Sequence, residues 1–261
     1  MRTEPRHIEV SRNRLLRWLP AEDRARLFGR MRRVSLVSGQ VLTPADQPVR
    51  SIHFPETAVI SLVASMRDGT PVEVATVGAE GFAGLPILLG TGSMPIAVLA
   101  QVAGESWRLD ADAYEEELGR SPALRDASSR YLQGLFVQTA QSVACNRLHP
   151  ISERTARWLL MSADRAGADT FRLTQEFLAT MLGVHRPSVT VAAGELQRRG
   201  AISYHRGLVR IVDRDALERA SCECYDVIRR EFDTLLGQGD ANGRRPALEL
   251  RSGSLSAFQR T

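Results

Sequence analysis

The stretch from Thr174 to Ile211, TQEFLATMLGVHRPSVTVAAGELQRRGAISYHRGLVRI, constrains the fold of this 261-residue chain more than any other segment. Thr174 brings a hydroxyl that can cap a helix N-terminus, and Glu176 in the first turn suits the positive end of the helix dipole. Leu178, Met181 and Leu182 fall on one helical face, and Gly183 offers the left-handed conformation that ends a helix. Pro187 fits the first turn of a second helix, where its missing N–H costs nothing. That helix directs Val189, Ala192, Ala193 and Leu196 inward, and Gly200 closes it. Ala179, Gly183 and Val189 are small or branched where two crossing helices need close approach. The β-prone runs 202–204 and 208–211 then flank His205-Arg206-Gly207, a hairpin signal. The spacing predicts a winged helix-turn-helix.

The outward face of the second helix offers Arg186, Thr190, Val191 and Arg198, with His185, Pro187 and Ser188 near its start. Between Arg172 and Arg210 six arginines face only Glu176 and Glu195, a local formal charge of +4. A basic face of this kind is the electrostatic footprint of a phosphate-binding module, and it points to duplex DNA. The competing reading is an ordinary helical hairpin with a solvated basic surface; the wing and the small-residue spacing favour DNA. Arg186 is suited to bidentate pairing with guanine, and Val191 to apolar contact with a thymine methyl. Thr174, Gln175, His185, Ser188, Thr190 and Arg206 complete the candidate DNA-binding set. For Thr174, His185, Ser188 and Arg206 the expected contacts are to phosphate, and a solvated surface role stays open for each.

The whole chain carries a formal charge of +4, and every one of its basic Lys+Arg side chains is arginine. No apolar run approaches the roughly 20 residues needed to span a bilayer, and the N-terminus lacks the pattern of a secretory signal, so a cytoplasmic protein without membrane partners is expected. The three cysteines, Cys145, Cys222 and Cys224, include no CxxC pair. Cys222 and Cys224 fall two apart on an expected helix and so point in different directions, while the five histidines are scattered along the chain. Buried, unreactive thiols are the favoured reading, a redox role for Cys-Glu-Cys stays open, and no metal or cofactor is expected.

The N-terminal half has a different texture. After helical segments at 13–18 and 21–28, short β-prone segments at 34–37, 51–54, 59–64, 72–77 and 96–102 alternate with glycine- and proline-rich corners, which suggests a β-sandwich or jelly-roll barrel. Asp110-Ala-Asp112 starts a helix ending near Gly119. From Ser121 the period turns helical through Arg147, with Leu132, Leu135, Phe136, Thr139 and Val143 as an apolar stripe. That stripe is expected to serve as a dimer seam on one face and a cover for the barrel on another. His149-Pro150 breaks this helix, another runs from 151 to 165, and Asp213 caps an interrupted helix to about Leu236. The expected class is α+β: a β domain over 1–120, a central helix over 121–148, a winged helix-turn-helix domain over 149–236 and a disordered tail over 237–261.

This order of parts resembles the Crp/Fnr family of bacterial transcription regulators. The likeness covers about 13–236 and is most specific over 174–211. In the β domain it lies in Gly81-Phe82-Ala83-Gly84-Leu85, which looks like the family's glycine corner before a short helix. The resemblance implies a cyclic-nucleotide-binding-like β-roll sensor, a homodimer joined by the central helix, palindromic promoter DNA, and RNA polymerase as a partner. It makes Gly81, Phe82, Gly84 and Leu85 a candidate effector pocket. Leu85 and Pro86, however, stand where nucleotide-binding members carry a glutamate, and no arginine, lysine or histidine occurs between Asp68 and Trp107. A buried cyclic phosphate would have no side-chain cation there, so a degenerate sensor is expected. With no cysteine before Cys145, an N-terminal iron–sulphur cluster is excluded. In the second helix, Pro187 and Val191 replace residues that often read bases in the family, so the operator should differ from its consensus.

Two other classes compete. A small-molecule-sensing regulator whose β-roll takes an unidentified effector is the alternative reading. A jelly-roll metalloenzyme would need clustered ligands, yet His7 and His53 are the only histidines in the barrel half, and no nucleophile–base pair is visible. The chain is not expected to be an enzyme.

Overall fold

The computed structural model describes residues 11–237; the expected disordered tail lies outside them but for Gly237. Two short helices come first, α1 (Arg14–Trp18) and α2 (Ala21–Arg30). Strands β1 (Arg32–Leu36), β2 (Val41–Thr43), β3 (Ser51–Pro55), β4 (Val59–Ser65) and β5 (Pro71–Val77) lead to the one-turn helix α3 (Leu85–Leu88). Strands β6 (Ala97–Val102) and β7 (Gly104–Asp110) are followed by α4 (Ala111–Arg120) and the 27-residue helix α5 (Pro122–Leu148). The remainder is α6 (Ile151–Ala166), β8 (Thr170–Arg172), α7 (Gln175–Leu182), α8 (Arg186–Arg198), β9 (Ile202–His205), β10 (Leu208–Ile211), α9 (Arg214–Ala220) and α10 (Cys224–Leu236).

The first seven strands form two antiparallel sheets, ordered β1-β7-β3 and β2-β6-β4-β5. β4 is buried along most of its length because α6 also packs on it, which explains its nearly unbroken apolar sequence. β7 departs from the sequence expectation, since GESWRLD carries three charges among seven residues. It is nonetheless the centre of its sheet, with Ser106 and Leu109 buried and Arg108 directed outward. The strand expectations at 34–37, 51–54, 59–64, 72–77 and 96–102 match β1, β3, β4, β5 and β6 within two residues.

Aromatic packing fixes the β-roll to the central helix. Phe82 is fully buried and meets Phe54, Tyr114 and Tyr131 at centroid distances of 5.7, 5.4 and 5.1 Å. Gly81 lies so close to the Tyr131 ring that a Cβ would overlap it. Asn13 caps α1 by accepting from the Leu16 N–H, and its amide donates to the Pro55 and Gly81 carbonyls at 3.0 and 2.8 Å. On the far side α10 runs along α5, where Gly134 leaves room for the Phe232 ring.

Polar contacts join the β-roll to α6. Arg165 Nε donates to Glu80 at 2.7 Å, both side chains being less than a tenth exposed, and Arg165 Nη2 donates to Gln138 of α5 at 2.6 Å. Gln138 in turn donates to the Thr76 carbonyl at 3.0 Å. Nearby, Glu73 accepts from Trp158 Nε1 at 2.9 Å and from the Ser61 hydroxyl at 2.6 Å. Desolvation pushes the Glu73 carboxyl up to about 7, against the lowering effect of those two donors.

One expectation is corrected. Cys222 and Cys224 do not share a helix: Cys222 lies in the link between α9 and α10, and Cys224 is the first residue of α10. The cysteines also do not point apart: Cys145 and His149 at the end of α5 lie together with Cys222 and Cys224. Tertiary packing of α10 on α5 creates this proximity across a separation of more than seventy residues. Among the described residues, no helix is long and apolar enough to cross a membrane.

Two stability outcomes follow from the α6 junction. Glu80→Ala leaves the Arg165 guanidinium buried without its carboxylate and should cost about 3–5 kcal/mol in equilibrium unfolding. Folded Glu73 holds its proton to about pH 7, whereas the unfolded chain releases it near 4.5. The native state therefore binds more protons between these values, and its stability falls as pH rises through this window. Glu73→Gln, whose Oε1 can accept from Trp158 while its amide N–H donates to the Ser61 hydroxyl, should raise the melting temperature above that of the parent near pH 8, with the gap closing toward about pH 5.

Candidate nucleic-acid interface

The helix-turn-helix is built by the residues that the sequence singles out. Thr174 Oγ1 accepts from the Phe177 N–H at 3.1 Å, starting α7. Gly183, at φ 63°, adopts the left-handed conformation and turns the chain toward α8. Pro187 occupies the first turn of α8, where its missing N–H costs nothing, and the Ser188 N–H donates to the His185 carbonyl at 3.0 Å. Val189, Ala192, Ala193 and Leu196 are each at most 3% exposed, and α8 buries this face against α6 and α7.

The opposite face is free. His185, Arg186, Pro187, Thr190, Val191 and Arg198 are all exposed, Val191 at 69%, while Ser188 is half-buried. The Thr190 hydroxyl donates to Gln175 Oε1 at 2.7 Å, so the first residue of α7 and the middle of α8 share one surface. Arg186 Nε stands 3.9 Å from Glu176, with both side chains well exposed. An exposed pair of this kind holds little free energy, so the guanidinium can exchange Glu176 for a phosphate or a base edge.

The wing is tied to the same unit. β9 and β10 pair antiparallel, with β8 on the other side of β10. Arg206 and Gly207 form the two-residue connection with positive φ values of 47° and 73°, the conformation of a type I′ hairpin. This places the exposed Arg206 at the tip. Gln197 Oε1 accepts from the Tyr204 N–H at 2.8 Å and fixes the wing to α8. The Tyr204 hydroxyl donates to the Leu173 carbonyl at 2.8 Å and fixes it to the approach of α7. Sequence reasoning missed β8; its signal was the apolar–charged–apolar run Phe171-Arg172-Leu173, too short to stand out. Thr174, Gln175, His185, Arg186, Pro187, Ser188, Thr190, Val191 and Arg206 are thus gathered on α7, α8 and the hairpin turn.

Other expected site residues are distributed differently. Along α5, Phe136 is 73% and Val143 69% exposed, Leu132 and Thr139 are half-buried, and Leu135 belongs to the main core. At the glycine corner, Gly84 adopts φ 139° and lies against Ile52, Leu85 begins α3, and Phe82 fills the interior. Gly81, Phe82, Gly84 and Leu85 are brought together as a packed corner beneath α5.

Over residues 153–220 the sequence matches the family model of the Crp-like helix-turn-helix domain. No curated protein matches the chain. Among solved structures, FixK2 from Bradyrhizobium japonicum superposes with a TM-score of 0.62 at 16% identity, covering 74% of this chain and 98% of its own. The c-di-GMP-responsive global regulator CLP from Xanthomonas campestris gives 0.60 at 14% identity, covering 74% and 100%. A CRP-family transcriptional regulator from Thermus thermophilus gives 0.59 at 19% identity, covering 73% and 96%. At these identities the likeness is one of fold. The chain thus carries a Crp-like helix-turn-helix domain within the fold of the Crp/Fnr family of transcriptional regulators.

Proposed function

We propose that the chain is a sequence-specific DNA-binding transcriptional regulator that acts as a homodimer. The observation that carries this reading is the division of α8: its inner face is fully committed to the domain core, while its outer face is basic and open to solvent. A 13-residue helix that begins with Arg186 and has no acidic residue in its first turn offers a guanidinium at the positive end of its dipole to the DNA. From this helix Arg186, Thr190 and Val191 would read base edges, while Arg206 at the wing tip and Thr174 at the start of α7 would contact phosphate.

The dimer rests on α5. Phe136 and Val143, seven residues apart, lie on one helical face and expose large apolar surfaces that a second copy would cover. Leu132 and Thr139 flank that strip, while Leu135 stabilises the monomer core instead. Two copies joined through α5 would present two α8 helices to a palindromic promoter site, where RNA polymerase is the further partner of such a regulator. Within the β-roll, the buried ring of Phe82 and the lack of cationic side chains between Asp68 and Trp107 support a sensor that does not take a cyclic nucleotide.

Binding to a duplex selected from a random pool tests the DNA reading. Arg186→Ala should weaken the selected site by about 1–3 kcal/mol and relax its sequence preference. Arg206→Ala should weaken all duplexes alike and reduce the salt dependence by about one phosphate contact. Unchanged affinity in both variants would rule out this face. For the dimer, light scattering should give twice the chain mass of 28.8 kDa for the parent. Phe136→Asp combined with Val143→Asp should give the single-chain mass with the fold intact.

A further inference from the structure

We propose that Cys145, His149, Cys222 and Cys224 form a mononuclear, tetrahedral metal site of the zinc class that clamps the end of α5 to the start of α10. Their ligand atoms all lie within 4.8 Å of one another. Cys145 Sγ is 3.5 Å from Cys222 Sγ, and Cys224 Sγ is 3.5 Å from His149 Nδ1. A tetrahedron with metal–sulphur bonds of about 2.3 Å and a metal–nitrogen bond of about 2.0 Å has edges of about 3.5–3.8 Å, so small rotamer adjustments close the set around one ion. A two-iron cluster would need its ligands divided between two metals, at a wider span than this group has. Three soft thiolates and one imidazole select zinc over magnesium or calcium.

The surroundings suit a metal centre better than a set of inert thiols. The three cysteines are buried as a separate cluster, apart from the main apolar core. His149 directs Nδ1 at Cys224, while its Nε2 stands 3.2 Å from the Glu223 carboxylate. This is the carboxylate–histidine arrangement that orients a metal-bound imidazole. Gln141 Nε2 lies 3.1 Å from Cys224 Sγ and donates to it, as amides do to metal-bound thiolates. The site also has cationic neighbours: three thiolates and a divalent ion leave one negative charge, and α6, the next helix, carries the buried Arg154 and Arg157.

The placement gives the metal a structural role in the proposed regulator. Cys145 and His149 sit at the end of the central helix, immediately before α6 enters the helix-turn-helix domain. Arg154 Nη2 donates to the Leu182 carbonyl at 2.6 Å, at the end of α7 and one residue before the Gly183 turn. A bound ion would thus fix the joint between the central helix and the DNA-binding domain. A Cys145–Cys222 disulfide is the competing use of this pair. It would employ two of the four ligands and leave the His149–Glu223 and Gln141–Cys224 contacts without a purpose.

Metal analysis of the purified full-length chain decides between them. About one zinc per chain is expected, and replacement by cobalt(II) should produce the intense visible bands and near-ultraviolet charge-transfer band of a tetrahedral ion held by three thiolates and one imidazole. Cys222→Ser and Cys224→Ser should lose stoichiometric binding. Glu223→Gln should keep it with affinity lowered roughly 10–100-fold, and circular dichroism should confirm its fold. That variant and the parent's cobalt spectrum keep the test valid if the cysteine variants do not fold. A metal-free parent that gives no cobalt bands on reconstitution would overturn the proposal. So would a metal-free chain with a Cys145–Cys222 disulfide in peptide mapping, or folded serine variants that retain zinc.

Discussion

The buried contact of Arg165 with Glu80 and Gln138 is the constraint on which the arrangement of this molecule depends. Glu80 belongs to the β-roll, Gln138 to the central helix and Arg165 to the first helix of the DNA-binding region, so one guanidinium joins all three parts. Buried charges of this kind contribute little net stability, but each is costly to leave alone, which makes the geometry specific. The neighbouring contacts of Glu73 with Ser61 and Trp158 repeat the pattern at the same seam. With α6 held there, α7 rests against β5 and the outer face of α8 remains open. The β-roll therefore supports the helix-turn-helix from behind without covering its basic surface.

The joint has a second fixed point at the other end of α6. Cys145 and His149 lie just before it, and Arg154 runs from their vicinity to the carbonyl of Leu182. Arg154 thus ties the start of α6, the helix that follows the cysteine–histidine cluster, to the end of α7. The polar seam and this cluster together bracket α6, and both would have to be respected by any movement of the DNA-binding domain.

Much of this was legible in the sequence because it rests on local rules. The Thr174 cap, the Gly183 turn, Pro187 at the start of α8 and the Gly200 stop each act within a few residues, and the structure builds the helix-turn-helix around them. The helical starts at Asp110 and Ser121 were readable for the same reason. What escaped is set by tertiary packing. β7 becomes a central strand through its partners β1 and β3, despite charges that argue against it. Leu135 turns to the core because β5 and α10 also pack on α5, a choice that helical periodicity alone does not make. The cysteine cluster had a local signal in Cys145-x3-His149 and Cys222-x-Cys224. Its meaning appears only when α10 folds back along α5.

Guanine N7 methylation interference on a duplex selected from a random pool tests the central claim most directly, because the N7 atom faces only the major groove. If the outer face of α8 reads that groove in a dimer, interfering guanines will fall in two symmetric groups about one helical turn, roughly 10 base pairs, apart. Selection that enriches no sequence, or interference confined to the minor-groove face of adenines, would contradict it.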